Sequence, residues 1–309
     1  MKVYEKRREP KLNPHDLIDR LGATLGGIVY RKDRLFGKSL ESPPLREAVP
    51  ETHTRAAAFD TGLWQQVTAK GPAGSLDAAY LVYRWQGFNV PSLLYIHGSG
   101  EQPHKFSRFS DNSFQKIFAR DDKHEMNLIL LMAPFHEGSQ GEYIKKLGYL
   151  NNYVGMLATT TALLDALANR LQKEGCPAVY AAGFSLGGWV LNLHRAFYGT
   201  GINLYVPMCA GTKPSAVFVS SHYRKLTAAK ALQHSELLEE LLDFHKEFSA
   251  NKTKDCYPLL FRYDRLIELK TQAQAYEGME LKIIDKGHFT GQQAAGAMRE
   301  HILRSICLL

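Results

Sequence analysis

Residues 178 to 188 read AVYAAGFSLGG, and the helical-looking run WVLNLHRAFYG comes directly after them. A short apolar run that stops abruptly at Gly183-Phe184-Ser185-Leu186-Gly187 and restarts as a helix leaves few choices. The chain must pass from strand to helix through one sharp turn, with Ser185 at its apex. Such a turn pushes the serine toward a left-handed backbone. It also needs hydrogen in place of Cβ on both sides, where glycine stands. A strand, a turn of this kind and a helix are the setting in which G-x-S-x-G presents a serine hydroxyl at the carboxyl edge of a sheet. The pentapeptide alone decides little, since it arises by chance in about one chain in ten of this length at average Gly and Ser usage. A serine here can also do no more than cap the helix. A serine nucleophile needs a base, so the rest of the chain must supply partners.

The surrounding pattern fixes the fold class. SLLYIHG (92 to 98) and MNLILLMAPF (126 to 135) are near-continuous apolar runs, as expected of strands buried on both faces of a parallel sheet. AAYLVYRW (78 to 85) alternates and reads as an early, partly exposed strand. SFQKIFARDD (113 to 122) and GMLATTTALLDALANRLQK (155 to 173) read as helices. After the Ser185 turn come strand INLYVPMCAG, strand YPLLFRYD, helix LIELKTQAQAYEG, strand MELKIID and helix QQAAGAMREHILRSICLL. This alternation implies an α/β fold, a mostly parallel central sheet flanked by helices. Residues 1–50 read as a polar and basic N-terminal extension, with LIDRLGATLGGIVY a short helix and SPPLREAVP an irregular linker. The main domain then occupies 51–309. One connection, 212–256, is longer than the rest and holds HSELLEELLDFHKEFSA, with Leu238, Leu241, Leu242, His245 and Phe248 on one helical face. It is either a packing helix on the sheet or a small helical lid.

Parallel strands put their C-terminal loops on one side, so partners for Ser185 must come from such loops. Among twelve histidines, His288 in DKGHFTG directly follows the last strand. Asp264 ends the penultimate strand, 24 residues earlier (264 to 288); Asp285 lies too close to the histidine along the strand. Taken singly, His288 is a surface-loop histidine and Asp264 a helix cap; together with Ser185 they can form a nucleophile, base and orienting acid. HGSG (97 to 100) leaves another buried strand, and its small residues let backbone N–H groups face the site. The Ser99 and Leu186 N–H groups are the expected oxyanion donors, with Gly100 replacing or assisting Ser99. His97 reads as structural rather than catalytic, and is counted with His136 and Glu137 among the residues expected at the substrate pocket. His136 and Glu137, in FHEGSQGEY, lie at the site edge, with a pocket-shaping or a structural role.

HGSG after an early strand, GFSLGG at an elbow, YD after a late strand and GH after the last strand resemble the α/β-hydrolase superfamily, over residues 75 to 309. The order Ser, Asp, His is that family's order. The resemblance implies Ser185 as nucleophile, His288 as base, Asp264 as its acid partner, and a serine hydrolase that cleaves a carboxylic ester in a small-molecule acyl substrate whose acyl-chain length the sequence leaves open. A thioesterase, amidase or peptidase would use the same groups, and a non-catalytic binding module could use the same fold. The extension at 1–50 has no counterpart in the family's minimal core.

Composition narrows the remaining classes. The net charge of +7 comes from dispersed basic residues, apart from a cluster at Lys6, Arg7, Arg8, Arg31, Lys32 and Arg34. That charge suits an anionic substrate, a membrane surface or nucleic acid, and equally a plain solvated surface. No RNP-like or zinc-finger pattern accompanies it, so no nucleic acid is expected. The HEMNL and HEGSQ segments lack the second histidine of H-E-x-x-H, and no cofactor or metal is expected. No run is long enough to span a bilayer and the basic N-terminus has no signal-type apolar core, so stable membrane insertion is not expected. The scattered cysteines Cys176, Cys209, Cys256 and Cys307 fit a reduced, cytoplasmic setting. Nothing in the sequence sets the oligomeric state.

Overall fold

The computed structural model describes residues 13–55, 58–107, 110–118, 124–251 and 255–307. The basic cluster at Lys6 to Arg8 and the end of the SFQKIFARDD run lie outside them. The strands are β1 (Trp64–Gly71), β2 (Gly74–Arg84), β3 (Ser92–Ile96), β4 (Asn127–Met132), β5 (Val179–Phe184), β6 (Leu204–Met208), β7 (Leu259–Phe261) and β8 (Lys282–Ile284). They form one sheet in the order β1-β2-β4-β3-β5-β6-β7-β8. β2 runs antiparallel to β1 and β4, and β3 to β8 run parallel to one another. The helices, in chain order, begin with α1 (Pro14–Val29), α2 (Leu45–Glu51), α3 (Ser113–Phe118), α4 (Gln140–Lys146), α5 (Leu150–Lys173) and α6 (Leu186–Phe197). Then come α7 (Ser215–Val219), α8 (Ala229–Gln233), α9 (Ser235–Leu242), α10 (His245–Ala250), α11 (Leu269–Gln272), α12 (His288–Gly291) and α13 (Ala295–Cys307).

The apolar runs form strands because both faces of the sheet are covered. Along β3, Leu94 and Ile96 pack with α5 and α6, while Leu93 and Tyr95 pack with Phe114 and Phe118 of α3 and Met298 and Ile302 of α13. This is the period-two alternation of a strand, made apolar on both sides. β1 has the polar sequence WQQVTAKG and edges the sheet, so no apolar run announces it.

Three segments differ from the sequence reading. SPPLREAVP holds a helix rather than an irregular linker: Pro44 sits extended at the N-cap, and Leu45, Ala48 and Val49 turn one face into the core. LIELKTQAQAYEG shortens to α11 and a 3-10 turn at Ala273–Tyr276. The face running from Leu238 to Phe248 is broken between α9 and α10, where buried Phe244 donates its N–H to Thr212 O.

The N-terminal segment and the long connection are tied to the same body. Leu35, Phe36, Leu45, Ala48 and Val49 join the core that holds α5 and α6. Leu35 pairs with the 226–228 stretch, donating to Leu226 O and accepting from Ala228 N, and Phe36 donates to Leu147 O. Leu238, Leu242 and Phe248 of the connection are fully buried in that core too. Cys176, Cys209 and Cys256 are free and buried.

Candidate active site

The site is built at the carboxyl ends of β3, β5, β7 and β8. β5 ends at Phe184, α6 begins at Leu186, and Ser185 between them has φ 52° and ψ −105°. A non-glycine residue in the left-handed region costs roughly 1–3 kcal/mol and is held there only by its surroundings. Here the Ser185 N–H donates to Met208 O of β6, the Gly187 N–H donates to His97 O, and the Ser185 carbonyl accepts from Trp189 N. The glycines on either side let the turn close. A Cβ on Gly187 would fall onto the Ile96 carbonyl, and one on Gly183 would lie 2.5 Å from the Gly187 carbonyl carbon.

Ser185 Oγ lies 3.3 Å from His288 Nε2. On the other side of the ring, His288 Nδ1 lies 2.7 Å from Asp264 Oδ2. Asp264 is 2% exposed, and its Oδ1 accepts from the Leu266 and Ile267 N–H groups in a tight Asx-type turn. Its two oxygens thus face different partners, one the backbone and one the imidazole. Burial pulls the His288 imidazole down, but the Asp264 charge and hydrogen bond, with Asp19 adding to them, outweigh it and raise its pKa above 6.5. The ring stacks on Phe184, centroids 5.5 Å apart.

Asp19 has no counterpart in the sequence reading. It lies on the inner face of α1, is 0% exposed, and accepts three backbone N–H groups of the site loops. They are His288 N at 2.7 Å, Phe289 N at 3.1 Å and Arg265 N at 3.0 Å. One carboxylate from the N-terminal helix therefore joins the loop after β7 to the loop after β8. Burial and the neighbouring Asp264 raise its pKa, against the opposing pull of those N–H donors. No local signal sets Asp19 apart, since the same helix carries Asp16 and Arg20 beside it. A contact spanning 269 residues is invisible to local pattern.

The HGSG loop is fixed from beneath by buried groups. His97 is 0% exposed; its Nε2 accepts from Ala133 N at 3.1 Å, so Nδ1 carries the proton and donates to Gly98 O at 2.7 Å. Burial lowers its pKa to about 4. His136 Nε2 accepts from Gly100 N at 3.1 Å, its Nδ1 faces Pro134 O at 3.0 Å, and burial holds its pKa well below 6.5. The two neutral rings meet edge-on, centroids 4.4 Å apart. Glu101 is also buried and takes the Gly98 and Ser113 N–H groups on opposite oxygens, at 3.0 and 2.8 Å. Burial raises its pKa to about 7 against those donors.

The structure therefore brings Ser185, Asp264 and His288 together, and the bond from Gly187 N–H to His97 O ties the start of the HGSG loop to the elbow. The Gly100 N–H is committed to His136. The Ser99 and Leu186 N–H groups have no acceptor among the described residues; the Ser99 hydroxyl meets Tyr143 OH at 2.5 Å. His97 lies inside the protein rather than on a pocket wall. His136 borders a shallow depression with Gly100, Phe135 and Tyr143, and Glu137 is exposed outside it. Among the described residues no group of His, Cys, Asp and Glu could hold a metal ion. No described helix is long and apolar enough to cross a membrane.

No protein-family model matches the chain, and no curated protein matches it in sequence. Its structure does match solved structures. Acetyl xylan esterase 1 from Thermoanaerobacterium sp. JW/SL YS485 superposes with TM-score 0.50 at 15% identity, over 88% of this chain and 98% of that one. Est1E from Butyrivibrio proteoclasticus with bound ferulic acid gives TM-score 0.51 at 15% identity, over 75% and 96%. Pyrococcus horikoshii acylaminoacyl peptidase gives TM-score 0.51 at 14% identity, over 82% of this chain and 40% of that one. At such identities the likeness speaks to architecture. With its strand order, its elbow and these neighbours, the chain has the fold of the α/β-hydrolase superfamily.

Proposed function

We propose that the protein is a serine hydrolase that cleaves carboxylic esters through an acyl-enzyme on Ser185. The observation that carries this reading is the line Ser185 Oγ, His288, Asp264, at 3.3 and 2.7 Å, with the serine held at positive φ. Ser185 Oγ attacks the ester carbonyl as His288 Nε2 takes its proton. Asp264 accepts the Nδ1–H, fixes the tautomer and stabilises the imidazolium. The oxyanion rests on the Ser99 and Leu186 N–H groups; each such donor is worth about 2.7–4 kcal/mol of barrier. His288 then protonates the leaving alcohol, and water, deprotonated by the same ring, releases the acid. A 3.3 Å contact is long for proton transfer, but such contacts tighten when substrate fills the site. Asp19 is a positioning residue in this scheme, because it holds the backbone that carries the imidazole. An acetyl xylan esterase among the structural neighbours supports the choice of an ester bond.

The test is Ser185→Ala with p-nitrophenyl esters and a fluorophosphonate probe. Wild type should turn over the ester and be labelled. The variant should lose on the order of 10⁶-fold in kcat, as when a triad serine is removed elsewhere, and take no label. Equal rates in the two proteins, with no labelling of either, would discard the reading.

A further inference from the structure

A helix lying on a domain ordinarily turns its apolar stripe to the core and its polar arc to water. Helix α1 does the reverse. Its buried residues are Asp19, Ala23 and Gly27, one per turn. It lies close because Gly22 faces the Phe289 ring, where an added Cβ would be 2.5 Å away. Its large side chains Leu17, Ile18, Leu21, Leu25, Ile28 and Val29 point outward, 44% to 69% exposed. At 3.6 residues per turn these six fall within about a third of the helix circumference and form a ridge about 20 Å long. Phe289, 40% exposed, extends the ridge to the residue after His288. Single exposed leucines are ordinary, whereas a continuous ridge of six marks a surface that something covers.

Charge selects the occupant. Residues 1–34 carry nine Lys and Arg against five Asp and Glu, which is +4 of the chain's +7. Arg20 sits at the edge of the ridge, Arg31 and Lys32 follow its end, and all three are exposed. Of the acids in this segment, Asp16 is bridged by both Arg20 and Arg265, and Asp33 stands among Arg31, Lys32 and Arg34, which leaves the rim net positive. A second copy laid along the same ridge would bring these like charges together. An anionic bilayer takes both the apolar ridge and its cationic rim, as amphipathic interfacial helices do.

We propose that α1, with Phe289, docks the protein on anionic bilayer surfaces, and that esters dissolved in such bilayers are its substrate class. The docking rests on α1 alone; the substrate class rests also on the serine-hydrolase reading. The contact is peripheral, with the helix lying in the headgroup region rather than crossing it.

The experiment is co-sedimentation of the full chain with vesicles of equal parts phosphatidylglycerol and phosphatidylcholine, and with phosphatidylcholine alone. Wild type and a Leu21→Glu/Leu25→Glu variant are compared, with melting temperatures showing that both are folded. Wild type should pellet with the anionic vesicles and less so as salt is added, because screening shortens the reach of the cationic rim. The variant should partition at least about tenfold more weakly. On a diacylglycerol carried in the anionic vesicles, wild type should outpace the variant by a similar factor. Docking is overturned if wild type stays in the supernatant, if the variant binds equally, or if the ridge instead holds a dimer that the variant dissolves. Equal rates on the vesicle-borne ester overturn the substrate class. The hydrolase reading fails separately: a wild type that binds vesicles yet hydrolyses no ester, soluble or embedded, loses the catalytic assignment and keeps the docking surface.

Discussion

Two loops meet at Ser185, and they are held by opposite means. The HGSG loop after β3 rests on side chains from its own neighbourhood. His97 and Glu101 belong to it, and His136 comes from the adjacent loop after β4. All three are buried, with both histidines neutral and bonded to backbone on both sides. The His288 loop after β8 rests instead on a carboxylate brought from the other end of the chain, Asp19 of α1. The first loop is held by buried groups that belong to the sheet's own surroundings. The second depends on whether α1 is seated. The HGSG side of this site is therefore held locally, while the His288 side is held through the N-terminal segment.

The sharpest way to break that contrast is Asp19→Ala. It leaves the His288, Phe289 and Arg265 N–H groups without their acceptor, at roughly 1–3 kcal/mol for each buried group left unpaired. A catalytic group displaced by about 1 Å can lose on the order of 10² in rate. The expected result is therefore a kcat about 10²-fold lower with KM little changed and fluorophosphonate labelling slowed in parallel. A drop in melting temperature with unaltered kcat would reduce Asp19 to a purely structural residue.

The corresponding cut on the other loop is His136→Leu, which removes the acceptor of the Gly100 N–H and leaves Ser99 and its loop in place. Because no oxyanion donor is deleted, the loss should stay below the 10²–10³ of a deleted donor, at about tenfold in kcat. A tetrahedral-intermediate mimic such as a trifluoromethyl ketone should weaken by the same factor. If binding of the mimic is unchanged while kcat falls, the loop does not set the oxyanion donors.

The same contrast explains what the sequence reading could reach. That Ser185, Asp264 and His288 come together was legible because each lies within four residues of the end of a strand, and parallel strands end on one side. His97 was legible as structural because it ends an apolar run. β1 was not, since an edge strand needs only one apolar face and WQQVTAKG has little of either. α2 was hidden by the prolines at 43, 44 and 50, which read as a linker until Leu45, Ala48 and Val49 are seen to face the core. Asp19 was hidden more deeply. Its helix also carries Asp16 and Arg20, so only the tertiary contact shows which carboxylate is turned inward and why. The reversed face of α1 follows from the same residue, since a helix that buries Asp19 must turn the leucines at the other side of its wheel outward.

The smallest expected effect separates the charge of Asp19 from its role as acceptor. Asp19→Asn keeps an oxygen that can accept from the His288 N–H but removes the negative charge. His288 must be unprotonated to take the serine proton, so kcat/KM rises with pH through the His288 pKa, which lies above 6.5 in the folded protein. Asp264 supplies most of that elevation and Asp19 a smaller part. Removing the Asp19 charge should therefore move the acid limb of the pH profile down toward 6.5, with the plateau rate far less affected than in Asp19→Ala. Because the His288 pKa falls, the variant should hold a larger share of its plateau activity than wild type below the limb. A plateau loss equal to that of Asp19→Ala with an unmoved limb would assign Asp19 a hydrogen-bonding role alone. An upward shift would contradict the electrostatic coupling between α1 and the base.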